Sequence, residues 1–245
     1  MDCQPRYIGM VYKWLNNEHN CVLCDLPARQ PYPLCAECEV ELPWLVHGCR
    51  VCALPLPLDG LTCGACHRRR PAFQRVEALW YYGFPIDSLI TRFKHQARWP
   101  LGRVMADVLG MALQHRFAEG LSRPDRLIPV PLARRRLRQR GFNQAAMLAQ
   151  WLSKTLSIDC DLDRVARTRD TPAQQQLQAA ARRRNLRQAF QVLEPEAVEG
   201  LHLAIVDDVL TTGATAQALA SLLRQAGARR VDVYCLARTA KPGHV

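Results

Sequence analysis

Four Cys-x-x-Cys pairs recur at a constant interval along the first 70 residues: Cys21/Cys24, Cys35/Cys38, Cys49/Cys52 and Cys63/Cys66, their first members 14 residues apart. Such a turn aims two thiolates at one point, and two turns complete a tetrahedral zinc site. Eight sulfurs therefore suit two zinc ions. The competing use of paired cysteines, a disulfide framework, needs an oxidising compartment. Four repeats are too many for a redox pair. The equal ten-residue gaps permit two successive ribbons (21/24/35/38 and 49/52/63/66) or an interleaved cross-brace. Successive ribbons are favoured, because loop closure costs less between near neighbours. Four thiolates leave no open position for water, so both ions are expected to be structural. Cys3, Cys160 and Cys235 fall outside the pattern and read as free thiols or core residues.

The opening segment, MDCQPRYIGMVYKWLNNEHN, has no continuous apolar stretch of the kind that directs export. No apolar run approaches the ~18 residues a membrane helix needs. A cytoplasmic location and no membrane insertion are therefore expected. A chain of 245 residues with 49% hydrophobic and 22% charged residues is not wholesale disordered. It is long enough for an α/β core with a small module attached.

Charge is less ordinary, at a formal +11. Residues 1–70 hold seven basic and seven acidic residues, so the surplus lies downstream, and 126–187 alone holds 14 basic against four acidic. Two four-thiolate zinc centres would lower the net charge to roughly +7. Lysine is scarce (Lys13, Lys94, Lys154 and Lys241), so nearly all the positive charge is arginine. A GC-rich coding sequence accounts for an arginine preference but not for its clustering. The cluster creates a local field able to attract phosphates or nucleic acid.

Arg68-Arg69-Arg70-Pro71 reads as a boundary between a Cys-rich module, 1–70, and a second domain, 71–245. Residues 78–83, 126–131, 189–193, 201–206 and 230–237 are strand candidates. Helical spacing runs over 86–95, 101–117 and 143–156, where Ala145, Leu148, Ala149, Leu152 and Leu156 share one face. A further helix over 213–226 ends at Gly227. The stretch 201–237 is then a β-α-β unit with a parallel pair, and the fold class is α/β with a doubly wound, mostly parallel sheet. Ligands of such sheets bind at the carboxyl ends of strands.

That carboxyl end reads LHLAIVDDVLTTGATA. Asp207 and Asp208 close an apolar strand, and Thr211, Thr212, Gly213, Ala214 and Thr215 open the helix. Small hydroxyl residues and a glycine leave backbone N–H groups to cradle a phosphate. Carboxylates would repel phosphate but suit the vicinal hydroxyls of a ribose. The loop therefore fits a ribose 5-phosphate.

Residues 203–215 resemble the signature of type I phosphoribosyltransferases, the loop that binds phosphoribosyl pyrophosphate (PRPP). With the Cys-rich module, the run IPVPLARRRLRQRGFNQAAMLA (128–149) and the run RTRDTPAQQQLQAAARRRNLRQAF (167–190), nearly the whole chain is similar to the ComF family. The resemblance implies a double zinc ribbon before a phosphoribosyltransferase-like domain. It also implies a role in DNA uptake during competence, beside a helicase that handles single-stranded DNA. The pyrophosphate loop is expected around Val130, Pro131 and Arg135. Arg140 and Asn143, at a helix start with Asn in a capping position, are further candidates. The remaining arginines of 134–138 read as a solvated face. By the same resemblance, 167–185 matches a mobile loop, with Gln174, Leu177, Arg183 and Asn185 on the family pattern. Its composition equally suits an exposed helix.

A domain of this type would bind PRPP with Mg2+ and displace pyrophosphate at C1 of the ribose. Positioning and charge neutralisation would supply the catalysis. No base-recognition element is visible. Three readings follow: a PRPP-binding protein of DNA uptake whose basic face contacts single-stranded DNA; an active pentosyl transferase in nucleotide salvage; or a zinc-ribbon adaptor with a vestigial site. The intact acids and Thr-Thr-Gly loop argue against the last.

Overall fold

The computed structural model describes residues 19–168 and 189–240. Compactness divides the chain into Met1–Leu42 and Pro43–Val245. The first unit carries two short antiparallel strands, β1 (His19–Asn20) and β2 (Pro27–Ala28), and one helical turn, α1 (Ala36–Val40). Cys35 caps that helix, its sulfur accepting from the Cys38 N–H at 3.5 Å. Buried Tyr32 donates its hydroxyl to Glu39 at 2.7 Å.

The second unit begins with the other two cysteine turns and α2 (Gly64–Arg68), then continues into the sheet domain. In order follow β3 (Arg75–Tyr81), α3 (Ile86–Gln96), α4 (Trp99–Ala118), β4 (Arg126–Pro129), α5 (Arg134–Arg140), α6 (Gln144–Leu156), β5 (Asp159–Cys160), β6 (Val165–Arg167), β7 (Phe190–Val192), a 3-10 turn (Pro195–Val198), β8 (His202–Leu210), α7 (Ala214–Gln225) and β9 (Arg230–Arg238). Five strands form one sheet in the order β3-β9-β8-β4-β5, every pair parallel. Among the described residues no helix is long and apolar enough to cross a membrane.

Parallel strands covered on both faces read as continuous apolar runs, and Leu203–Val206 are fully buried. On one face, Leu203, Ile205, Val231 and Val233 pack with Leu219 and Leu223 of α7 and with Cys49, Cys63 and Cys66. The other face takes α6 across β4 and β8, and α4 across β9. Asn143 caps α6 by accepting from the Ala145 N–H at 3.0 Å, and Leu148, Ala149 and Leu152 are wholly buried. Each such leucine contributes about 1.5–3 kcal/mol. The helices meet closely at glycines: a Cβ on Gly102 would lie 2.6 Å from the Phe93 ring, and one on Gly110 would lie 2.7 Å from Thr155.

Three local expectations need correction. The strand at 201–206 continues through both acids to Leu210, because β9 pairs with it as far as Arg238. The strand at 189–193 exists but lies outside the main sheet, pairing antiparallel with β6. The loop expected around Val130 to Arg135 ends at Ala133, where helix α5 begins, and Arg134 to Gln139 of that helix are exposed.

Candidate functional site

β8 is the middle strand of the sheet and delivers two adjacent carboxylates at its carboxyl end. Asp207 Oδ1 accepts from the Asp208 N–H at 2.9 Å, and Asp208 Oδ1 accepts from the Val209 N–H at 2.7 Å. These local bonds fix both side chains. Asp208, only 4% exposed, also lies 2.8 Å from Lys94 Nζ, which comes from α3. Burial, reinforced by the charge of Asp208, pushes the Asp207 carboxyl up to about 8. The centre thus holds one ion-paired acid and one acid reluctant to ionise.

From the β4 side, Val130 N–H donates to Val206 O at 2.9 Å, extending the pairing one residue past β4. Asn143 donates its amide to Val130 O at 3.0 Å, tying the start of α6 to this turn. Arg140 bonds Gln144. Burial lowers its guanidinium while the charge of Asp208 opposes that shift, which places Arg140 within electrostatic reach of the acid pair. Beyond Leu210, Thr211, Thr212 and Gly213 turn the chain. Gly213 adopts φ +73°, a conformation that favours glycine, and stands at the N-cap of α7. Thr212 Oγ1 accepts from the Ala214 N–H at 3.4 Å. Gly213 itself offers no side chain to the first-turn amides, which a phosphate would otherwise satisfy.

Asp207, Asp208, Thr211, Thr212, Gly213, Ala214 and Thr215 therefore follow one another along a single strand–turn–helix, with Val130, Asn143 and Arg140 drawn to it. Pro131 sits half-buried in the turn after Val130, while Arg135 lies on the exposed helix. Arg183 and Asn185 lie outside the described residues. The sequence reading missed Lys94. Its partner is far away in the chain, and the usable signal was its standing as the only lysine between Lys13 and Lys154.

The eight cysteines gather as two groups, Cys21/Cys24/Cys35/Cys38 and Cys49/Cys52/Cys63/Cys66, each with its sulfurs within 4.8 Å of one another. This is the successive pairing. Between the two turns of each group, the Cys24–Cys35 and Cys52–Cys63 sulfurs are 3.6 and 3.7 Å apart. A tetrahedron with Zn–S bonds of ~2.3 Å has edges of about 3.8 Å, so the donor sets fit a zinc-sized ion. For Cys21 and Cys49 burial acts to raise the thiol. Backbone N–H groups, from Cys35, Cys24 and Leu23 in one case and Cys63, Cys52 and Val51 in the other, outweigh it and bring each to about 7.

A parallel sheet whose middle strand supplies an acid pair and then a glycine-capped helix defines a phosphoribosyltransferase-type domain. The family described as Phosphoribosyl transferase domain matches residues 140–244. The DNA utilization protein YhgH of Escherichia coli (strain K12) is 39% identical over 221 residues, spanning 89% of this chain and 96% of that one. Competence protein F of Haemophilus influenzae is 34% identical over 207 residues, spanning 84% and 90%. Among solved structures, the purine phosphoribosyltransferase from Pyrococcus horikoshii Ot3 matches with a TM-score of 0.35 and 20% identity, covering 55% of this chain and 73% of that one. With relatives of this identity and coverage, the chain belongs to the ComF family.

Proposed function

We propose that this chain binds PRPP at the carboxyl end of β8 and works in DNA utilization or competence, as the names of its relatives indicate for those proteins. The observation that carries the reading is the Asp207–Asp208 pair, with Asp208 buried against Lys94, followed by the Gly213-capped helix. Asp207 and Asp208 accept from the ribose 2- and 3-hydroxyls, while the Thr211–Thr215 turn takes the 5-phosphate. Val130, Pro131, Arg135, Arg140 and Asn143 face the pyrophosphate, joined by Arg183 and Asn185. Mg2+ supplies charge neutralisation at the diol and pyrophosphate when bound. Lys94, ion-paired with Asp208, holds that carboxylate ionised for the diol. These roles require binding, not turnover, and the fold alone makes no enzyme.

The two cysteine groups hold structural zinc, and by function the chain divides into a zinc module, 1–70, and a PRPP-binding domain, 71–245, in the cytoplasm. The exposed arginines of α5 (Arg134, Arg135, Arg136 and Arg138) offer a phosphate-contacting face for single-stranded DNA, passed from a DNA-uptake helicase. Calorimetric titration of PRPP with Mg2+ tests the reading. The full-length protein binds, and the Asp207→Asn/Asp208→Asn variant, folded by circular dichroism, does not. Equal heats in both proteins would remove the acids from the site.

A further inference from the structure

Arg238, the last residue of β9, is 6% exposed, yet among the described residues no carboxylate lies within ion-pair distance of it. Its guanidinium donates instead to main-chain carbonyls on two sides. Nε reaches Cys52 O at 3.0 Å. Nη1 reaches Leu210 O at 3.0 Å, Thr211 O, and Thr239 O at 2.9 Å. Cys52 closes the first turn of the second cysteine group, while Leu210 and Thr211 are the point where β8 passes into the phosphate-cradling turn. A buried cation is costly unless its donors are used. A planar guanidinium can span both sides with its fork of N–H groups, and a lysine ammonium cannot.

A second set of contacts joins the same two parts. Cys49, Cys63 and Cys66 share one buried cluster with Leu210, Ala216 and Leu219. The Ala72 N–H, just past the cysteine segment, donates to Gln217 Oε1 at 2.8 Å in the first turn of α7. The second metal group therefore abuts the strand end, the turn and the helix start that make up the candidate PRPP loop.

We propose that Arg238 makes the second metal group a working part of that loop. A metal held by Cys49, Cys52, Cys63 and Cys66 fixes the Cys52 carbonyl, and Arg238, a positioning residue, passes that order to Leu210–Thr215. The proposal rests on the PRPP reading given above. Its consequence is that PRPP affinity depends on the metal state of a group that touches no part of the ligand.

The test is hydrogen exchange of the peptide covering Leu210–Thr215 in full-length, zinc-loaded protein, with PRPP titration alongside. Wild type is compared with Arg238→Lys and Cys52→Ser. Arg238→Lys is expected to keep two zinc ions per chain, speed exchange in Leu210–Thr215 while leaving α6 unchanged, and weaken PRPP about tenfold. Cys52→Ser is expected to lose one zinc and give the same local signature. Should Cys52→Ser fail to fold, Arg238→Lys decides alone. Wild-type exchange in a folded Arg238→Lys protein overturns the coupling. Exchange quickened equally in α6 also overturns it, since Arg238 would then be holding the fold at large. Wild type that takes up no PRPP overturns the reading of the loop instead, and the exchange result still decides the coupling.

Discussion

Two neighbouring carboxylates at the end of β8 sit in opposite circumstances. Asp208 has a lysine at 2.8 Å, whereas Asp207 is raised to about 8 by burial and by its neighbour's charge. Because the folded value of Asp207 exceeds the unfolded one, its ionisation opposes folding. The penalty grows as pH climbs above the unfolded value and is complete above about 8. Asp207→Asn should therefore be more stable than wild type at pH 8, with the gap closing towards pH 4, as read by thermal denaturation at both. Binding of a diol to the carboxylate form must release a proton below that value. PRPP affinity is then expected to rise from pH 7 and level off above about 8, with the released proton visible as a buffer-dependent heat. Lys94→Met strands Asp208 as a buried charge. Breaking such pairs costs about 3–5 kcal/mol, and the partial exposure of Lys94 puts this one at the lower end, measurable by urea unfolding. Neither environment could be read from the Asp-Asp dipeptide alone. Ion pairing across 114 positions is a property of the packed sheet and helices.

Elements built on strong periodicity were legible. The β8–α7–β9 unit and α6 lie where apolar spacing and the Asn143 cap place them. What escaped was pairing and length. Two acids ordinarily end an apolar strand, but here β9 offers partners up to Arg238, so β8 continues through them. The 190–192 strand shows the same β preference as the sheet strands, and only its neighbour, β6, reveals that it forms a separate pair. Helix–helix approach was equally silent, since a glycine in a helical pattern does not announce what it touches. Gly102 faces Phe93, which is wholly buried and cannot yield, while Gly110 faces the partly exposed Thr155. Alanine gains about 1 kcal/mol in helix propensity at either site. Overpacking costs about 1–3 kcal/mol. Both Gly102→Ala and Gly110→Ala should therefore be destabilising by denaturant titration, the first more than the second.

Across the molecule, cysteine spacing, acid pair and arginine surplus were all visible in the chain. Their mutual placement was not: the second cysteine group belongs to the same compact unit as the sheet, Pro43–Val245, although a run of three arginines and a proline follows it. Metal analysis of the purified protein is expected to give two zinc ions per chain. A value well below two would leave the paired sulfur groups without their ion. If the arginine face of α5 meets single-stranded DNA, replacing Arg134, Arg135, Arg136 and Arg138 by Gln should flatten the salt dependence of binding by about three to four phosphate contacts.

The margins of the sheet carry a consequence of their own. At one side, residues 43–46 run antiparallel along β3, with Leu45 N–H donating to Leu79 O at 2.7 Å, Tyr81 N–H donating to Pro43 O at 2.8 Å and the Trp44 and Trp80 rings 5.6 Å apart. At the other, β5 is two residues long and begins with the exposed Asp159. A partner strand thus finds the Leu79–Tyr81 end of β3 already taken on one side and a two-residue rim on the other. A protein stripped of residues 43–46 would bare the stretch of β3 that they cover, an edge along which copies could stack.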